Sequence, residues 1–484
     1  MYKHINYRLI MHIIGNVLVF ESVFIVLSII ISFLYNGNDK VALFSTFFIT
    51  LFCGLILLMF SKGASGEETT RKDSFIAVTL SWIFLSVFGA LPYIFSQSTP
   101  TIIDALFESV SGFTTTGSSV IPDVESLERG ILFWRAETHW IGGMGIIVLV
   151  IAILPYYKIG VSNLLVAEGS IMGVERLKPR IIDTAKRLWI IYIVLTIAEI
   201  ILLMIGGMSW YDAVCHSFAT IATGGFSTKN DSVAGFSPYI QYVIIVFMFL
   251  SGINFSLHYF GFHGRFKKIL NNEEFRAYAI IILIISVILS FTTYKFFNSA
   301  EHAFRHALFQ IVSIITATGF ASADYTLWSE FSVLLVFISM FFGACVGSTG
   351  GGIKIARYVI VFKRIGLHFR QLVKPNAVNV ARYNGNIIEP STFSSVFAFI
   401  FLYGLTFIVG SIFMSILGLD WQSASSSVIT TLGGIGPGLG LIGPSNTFVD
   451  IPTAGKVYLS LNMIAGRLEI VSFLILFSRS FYKV

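Results

Sequence analysis

Four glycines, Gly117, Gly225, Gly319 and Gly436, fall into one column when the segments around them are set side by side: DALFESVSGFTTTGSS, DAVCHSFATIATGGFS, HALFQIVSIITATGFA and SASSSVITTLGGIGPG. In each, an alanine (Ala105, Ala213, Ala307, Ala424) stands twelve residues before the glycine. The candidate site residues are Thr115, Thr116 and Gly117, then Thr223, Gly224 and Gly225, then Ala317, Thr318 and Gly319, then Gly434, Ile435 and Gly436. Apart from Ile435 they are small or hydroxylated. None is a carboxylate, which argues against a divalent-ion ring. Their chemistry must come from the backbone. Glycine permits angles that turn carbonyl oxygens inward, and rings of such oxygens can replace the hydration shell of a cation. The pattern therefore fits a dehydrated monovalent cation.

The elements that position these carbonyls follow from length and composition. Each segment is apolar for only about 11 residues before its Thr/Gly stop, a helix of ~17 Å that can enter a membrane but not cross it. Irregular backbone at that depth is tolerated only inside protein or along a water-filled cavity. Each such half-helix aims its negative end at the centre, which favours a cation there. The chain has 484 residues, 55% hydrophobic and 12% charged, with 47 Phe, a composition that a soluble core cannot hide. Apolar runs at 15–34, 41–60, 75–94, 133–155, 188–205, 239–260, 278–297, 393–417 and 457–477 are each expected to span the bilayer. The first is long enough to be retained, with no small-residue cleavage site after it. Cys53, Cys215 and Cys345 are too few and too apolar in setting for a disulfide framework or a thiolate site.

Basic connectors around Lys62, Lys158 to Arg187, Arg265 to Arg276 and Arg357 to Arg382 place those segments, and both termini, in the cytoplasm. The opposite face is acidic, which concentrates cations there. The net charge of +6 sums two faces of opposite sign.

Two further features lie in apolar surroundings. Gly347, Ser348, Thr349, Gly350, Gly351 and Gly352 interrupt the run that starts at Phe337. Each interior glycine costs a helix ~1 kcal/mol relative to alanine, so an unwound loop in the conduction path is expected, with a helix-packing patch as the alternative. Arg467 lies midway along the last run, where a cation must meet water or a partner; it faces the pore or pairs inside the bundle. Glu199, His139, His216 and Asp212 are read as capping or interface groups, a proton relay being the other reading. The Gly347–Lys354 stretch fails as a phosphate loop because Ile353 separates glycine from lysine and no soluble strand precedes it.

SGFTTTGSS (111–119), ATGGFST (222–228), TATGFASAD (316–324), GSTGGGIK (347–354), GIGPGLG (434–440) and AGRLE (465–469) together resemble the Trk/Ktr/HKT superfamily of potassium transporters, over nearly the whole chain. The extra N-terminal spans resemble its bacterial Trk branch. That resemblance implies an all-α polytopic membrane protein: an N-terminal helix pair at 1–70, then helix/pore-loop/helix repeats at 71–158, 159–268, 269–385 and 386–484. It implies K⁺ as the transported ion, Gly117 standing where a serine accompanies sodium permeation, with no organic cofactor on this chain. It also implies that 347–352 is a gate with Arg467 beneath it as an electrostatic barrier. The fourth segment, with Gly433, Gly434 and Ile435 in place of threonines, would coordinate less regularly. The implied partners are the lipid bilayer, a second copy in a homodimer, and a cytosolic TrkA-like nucleotide-binding ring; the implied location is the bacterial inner membrane. A Na⁺- or H⁺-coupled symporter is the rival within transport. An intramembrane enzyme would need a paired catalytic constellation, and none is found.

Overall fold

The computed structural model describes residues 5–63, 70–143, 145, 181–376, 379–479 and 481. It is helical apart from one small hairpin. The helices are α1 (Tyr7–Leu34), α2 (Lys40–Phe60), α3 (Arg71–Gly89), α4 (Leu91–Phe95), α5 (Ile102–Phe113), α6 (Arg129–Gly143), α7 (Ile181–Ile205), α8 (Trp210–Ile221), α9 (Pro238–Ser251), α10 (Phe255–Phe262), α11 (Phe266–Leu270), α12 (Glu273–Thr293), α13 (Ala300–Ile315), α14 (Glu330–Ser339) and α15 (Ile355–Val373). Strands β1 (Arg382–Tyr383) and β2 (Asn386–Ile387) precede α16 (Pro390–Ile416), α17 (Trp421–Gly433), α18 (Thr453–Arg467) and α19 (Val471–Leu474).

Among the described residues, six helices are long and apolar enough to cross a membrane, or eight if each of two bent pairs counts as one span. Their outward faces carry bare apolar side chains such as Phe48, Phe52, Phe291, Phe401 and Ile416. The centre is lined instead with hydroxyls: Thr114, Thr116, Thr220, Thr223, Thr316, Thr318, Ser426, Thr430 and Thr431 are all buried. Lipid, a poor solvent for polar groups, selects this arrangement, because the polar backbone ends must be satisfied inside the protein.

The four short helices α5, α8, α13 and α17 occupy that centre. Each packs on the long helix before it and the helix after it: α5 on α3 and α6, α8 on α7 and α9, α13 on α12 and α14, α17 on α16 and α18. The arrangement closes on itself, since α18 also packs on α5. The pair α1 and α2 attaches to this body through α3 and α6, and Asn6 N–H donates to the Asp73 carboxylate at 2.9 Å.

Two runs expected as straight spans are broken. The run 239–260 is α9 and α10, meeting at 106°. The run 457–477 is α18 followed by Val471–Phe477 at 111°. At the first break Asn254 caps the new helix, its side chain accepting from Ser256 N–H at 2.8 Å. The backbone groups freed there bond to the glycine-rich loop and the residues before it: Phe255 N–H donates to Gly347 O and Cys345 N–H to Gly252 O, each at 3.0 Å. At the second, Glu469 adopts φ +52° and its carboxylate pairs with Arg357. The second half of the expected span 133–155, and the connector from Lys158 toward Arg187, lie largely outside the described residues.

Candidate functional site

The short helices begin on caps that the column of glycines does not reveal. Thr101 accepts from Asp104 N–H at 3.1 Å, Ser209 from Asp212 N–H at 3.1 Å, Ser299 from His302 N–H at 3.2 Å, and Asp420 from Gln422 N–H at 3.0 Å. The Thr-x-x-Asp and Ser-x-x-Asp spacings were the available signal.

They end alike. The residue two before each glycine is left-handed: Thr115 (φ +55°), Thr223 (+55°), Ala317 (+58°) and Gly434 (+69°). The next N–H then reaches back five residues, from Thr116 to Ser111 O (2.9 Å), Gly224 to Ala219 O, Thr318 to Ser313 O and Ile435 to Thr430 O (each 2.8 Å). This is the six-to-one closure of a Schellman cap. The glycines themselves are left-handed as well, at +80°, +81°, +81° and +98° for Gly117, Gly225, Gly319 and Gly436. Four segments of different sequence thus share one backbone path. The fourth keeps it despite Ile435.

The structure brings the four glycines together in a ring. A Cβ added to Gly117 would overlap the carbonyl oxygen of Gly224, one on Gly225 that of Thr318, and one on Gly319 that of Ile435. One on Gly436 would stand 2.9 Å from Thr116 O, which closes the circuit. Each glycine lies against the carbonyl just before the next segment's glycine, so a side chain at any of them would push on its neighbour's backbone.

Every junction of the ring is stitched. Arg135 joins the first segment to the second: Nε donates to Glu108 Oε1 at 2.6 Å and Nη1 to Ser227 O at 3.0 Å, with the guanidinium 3.6 Å from the Phe226 ring centroid. Glu108 also accepts from Val120 N–H at 2.9 Å and Ser119 Oγ at 3.0 Å. Ala321 N–H donates to Ser232 Oγ, joining the second to the third at 3.1 Å. Tyr325 Oη donates to Gly438 O at 2.9 Å, and Ser118 Oγ to Gly436 O at 3.2 Å, for the last two junctions. Lys456 on α18 bonds the buried Asp104 of α5 at 2.6 Å. Sequence reading missed Glu108, Arg135, Asp104 and Lys456, because their partners are far away along the chain.

The histidines are packing groups here. The His139 ring lies in the space left by the missing side chain of Gly224, stacks on Phe226 and bonds Gly112 O at 2.7 Å. His216 links Asp212 O at 2.8 Å to Ser227 Oγ at 3.0 Å.

Against the helix C-termini lies the loop 347–352, irregular as its glycines require. A Cβ on Gly350 would overlap Thr316 O and one on Gly351 would overlap Gly433 O, at the ends of α13 and α17. Thr349 Oγ1 donates to Ile221 O, the last residue of α8, at 3.1 Å. Arg467 completes the set. Its guanidinium donates to Thr349 O at 2.9 Å, Thr115 Oγ1 at 3.2 Å, Gly143 O at 3.1 Å and Gly142 O. Loop and arginine together touch the inner ends of all four segments. Arg467 is the last residue of α18, and Glu469 beyond it turns to Arg357. Gly347 and Ser348 lie at the loop's outer edge, Gly347 against Asn254. Lys354 folds back to bond Gly350 O.

Comparison with known proteins agrees with this architecture. The family described as TrkH, cation transport protein, matches residues 40–482. The Trk system potassium uptake protein TrkH of Salmonella typhimurium is 38% identical over 485 residues, 99% of this chain and 100% of that protein. The Trk system potassium uptake protein TrkG of Escherichia coli K12 is 34% identical over 482 residues, covering 98% of this chain and 99% of that one. The crystal structure of the potassium transporter TrkH from Vibrio parahaemolyticus superimposes with a TM-score of 0.89 at 36% identity, covering 99% of this chain and all of that one.

Proposed function

The chain belongs to the TrkH family of cation transport proteins, and we propose that it takes up K⁺ through a filter made by Thr115 to Gly117, Thr223 to Gly225, Ala317 to Gly319 and Gly434 to Gly436. The observation that carries this reading is the closed circuit in which each filter glycine rests on the carbonyl of the next segment. Backbone oxygens held in this way can take the place of water around a monovalent cation without the cost of reorganising at each passage. No carboxylate stands among the twelve residues, so the field is that of dipoles and suits a monovalent ion. The sequence motifs and the potassium uptake relatives favour K⁺. The protein works in this reading as four repeats, with the divisions given above, in the inner membrane of a bacterium, as a homodimer controlled by a cytosolic nucleotide-binding ring.

Loop 347–352 is the gate of this path. Its position supports the reading, since it meets the inner ends of α8, α13 and α17 and shares Arg467 with the first filter strand. A guanidinium bonded to Thr115 Oγ1 and Thr349 O is a fixed positive charge beside the first filter strand and, in this reading, raises the barrier to passage while the loop is in place.

Two measurements test the proposal. Uptake of ⁸⁶Rb⁺ into proteoliposomes should be competed far better by K⁺ than by Na⁺; equal competition removes the selectivity claim. Gly350→Ala and Gly351→Ala should each force the loop off the helix ends and raise basal flux. Unchanged flux and regulation in both variants would remove the gate.

A further inference from the structure

Glu274 is the second residue of α12, buried, and placed where a first-turn glutamate normally serves its own helix. It serves another segment instead. Its Oε1 accepts from Val346 N–H at 2.7 Å and from Ala356 N–H at 3.1 Å, the two backbone donors that flank loop 347–352. One carboxylate oxygen therefore pins both shoulders of the loop. The other oxygen meets Tyr383 Oη at 3.3 Å, from β1.

Tyr383 sits on a stiff handle. Strands β1 and β2 pair Arg382 with Ile387 and Tyr383 with Asn386, and Asn384 and Gly385 between them have φ +49° and +83°. Two successive left-handed residues make a type I′ turn, which matches strand twist and holds a two-residue hairpin firmly. The hairpin tip is bonded to the residue beside the latch: Glu273 N–H donates to Asn384 Oδ1 at 2.8 Å and Asn384 N–H to Glu273 Oε1 at 3.2 Å. Lys363 of α15 bonds both the Glu273 carboxylate and Arg382 O. The hairpin, the start of α12, the helix that follows the loop and the loop's two shoulders meet in one knot. Arg382, Asn384, Asn386 and Ile387 are exposed on its outer side.

We propose that Glu274 is a positioning residue, a latch holding the gate loop against the pore helices, and that the β1–β2 hairpin sets this latch through Tyr383. The inference rests on the reading of 347–352 as a gate. Moving the loop with its two shoulders breaks both bonds to Glu274 Oε1 together and leaves that buried oxygen without its donors, so release is concerted. A small displacement of the hairpin changes the third partner of the same carboxylate, so a load on an exposed surface reaches the loop.

The experiment uses the full chain in proteoliposomes without any partner. Glu274→Ala should raise basal ⁸⁶Rb⁺ influx about tenfold, and Tyr383→Phe about threefold, by shifting the loop's population. Glu274→Gln, whose amide oxygen can still accept from both N–H groups, should stay within about twofold of wild type. In all three the K⁺ over Na⁺ competition ratio should be unchanged, which damage to the filter would not allow. Amide hydrogen exchange across 343–356 should quicken in the alanine and phenylalanine variants. If Gly350→Ala and Gly351→Ala raise flux while Glu274→Ala and Tyr383→Phe do not, the latch is wrong and the gate stands. If none of the four raises flux, both readings fall. Should the alanine variant fail to fold, Tyr383→Phe, which deletes one hydroxyl, decides the matter.

Discussion

The glycine ring and the loop beside it both carry side-chain braces from other elements, but only the ring adds a backbone closure inside every segment. In the ring, each strand is secured by its own helix through the five-residue backbone closure, and each glycine is wedged against the next strand. In the loop, the glycines touch the same helix ends, but the tethers come from other elements: Arg467 of α18 bonds Thr349 O, Glu274 of α12 holds the flanking Val346 and Ala356 N–H groups, and Phe255 N–H at the start of α10 bonds Gly347 O. Backbone closures within a segment survive unless the segment unfolds. Side-chain tethers from other elements can be exchanged one at a time. On the proposed reading, the contrast separates the part that coordinates the ion from the part that moves to gate it.

The comparison can be broken most severely at the ring. Gly319→Ala would thrust a methyl into Ile435 O, and a displacement of that size should cut ⁸⁶Rb⁺ uptake by roughly 100-fold in protein that still assembles. Wild-type uptake in this variant would mean that the ring does not line the path. A serine at Gly117 would first meet Gly224 O, so the effect of Gly117→Ser on uptake should exceed its effect on selectivity when both are measured. The loop should respond in the opposite sense. Arg467→Ala removes donors to Thr349 O and Thr115 Oγ1 together with a positive charge, and basal leak should rise by about tenfold. Lowered leak from a folded variant would contradict the barrier. The smallest effect is expected at Ala317→Gly, where glycine relieves a left-handed alanine but loosens the unfolded chain, two terms of ~1 kcal/mol that oppose each other. Uptake within about twofold of wild type and a nearly unchanged melting temperature are the expected outcome; a large loss would show that the Ala317 methyl itself shapes the path.

Much of the candidate site was legible because it depends on local backbone chemistry. The stop at Gly117, Gly225, Gly319 and Gly436, and the breakdown of helix at 347–352, are read from residues that cannot continue a helix or that tolerate left-handed angles. Gly434 accepts the left-handed position more easily than Thr115, Thr223 or Ala317 do, so the fourth segment keeps the backbone path while its side chains differ. The braces were not legible. Nothing near Glu108 announces Arg135, nor does Asp104 announce Lys456, since each pair is joined only when distant helices pack.

The bends at 252–254 and 468–470 mark the boundary most clearly. By composition both runs are ordinary spans, and hydropathy averaged over a window cannot register that one carbonyl or one N–H has found a better partner. What the sequence alone determined was an inside-out helical protein with four truncated helices ending on carbonyl-presenting glycines, because solvent preference and backbone stereochemistry act residue by residue. Tertiary structure alone decided that those ends close into one ring, that two spans break, the first bonding Gly347 and the second pairing Glu469 with Arg357, and that Arg467 and Glu274 converge on the loop and its flanks, because such contacts depend on where separate helices pack.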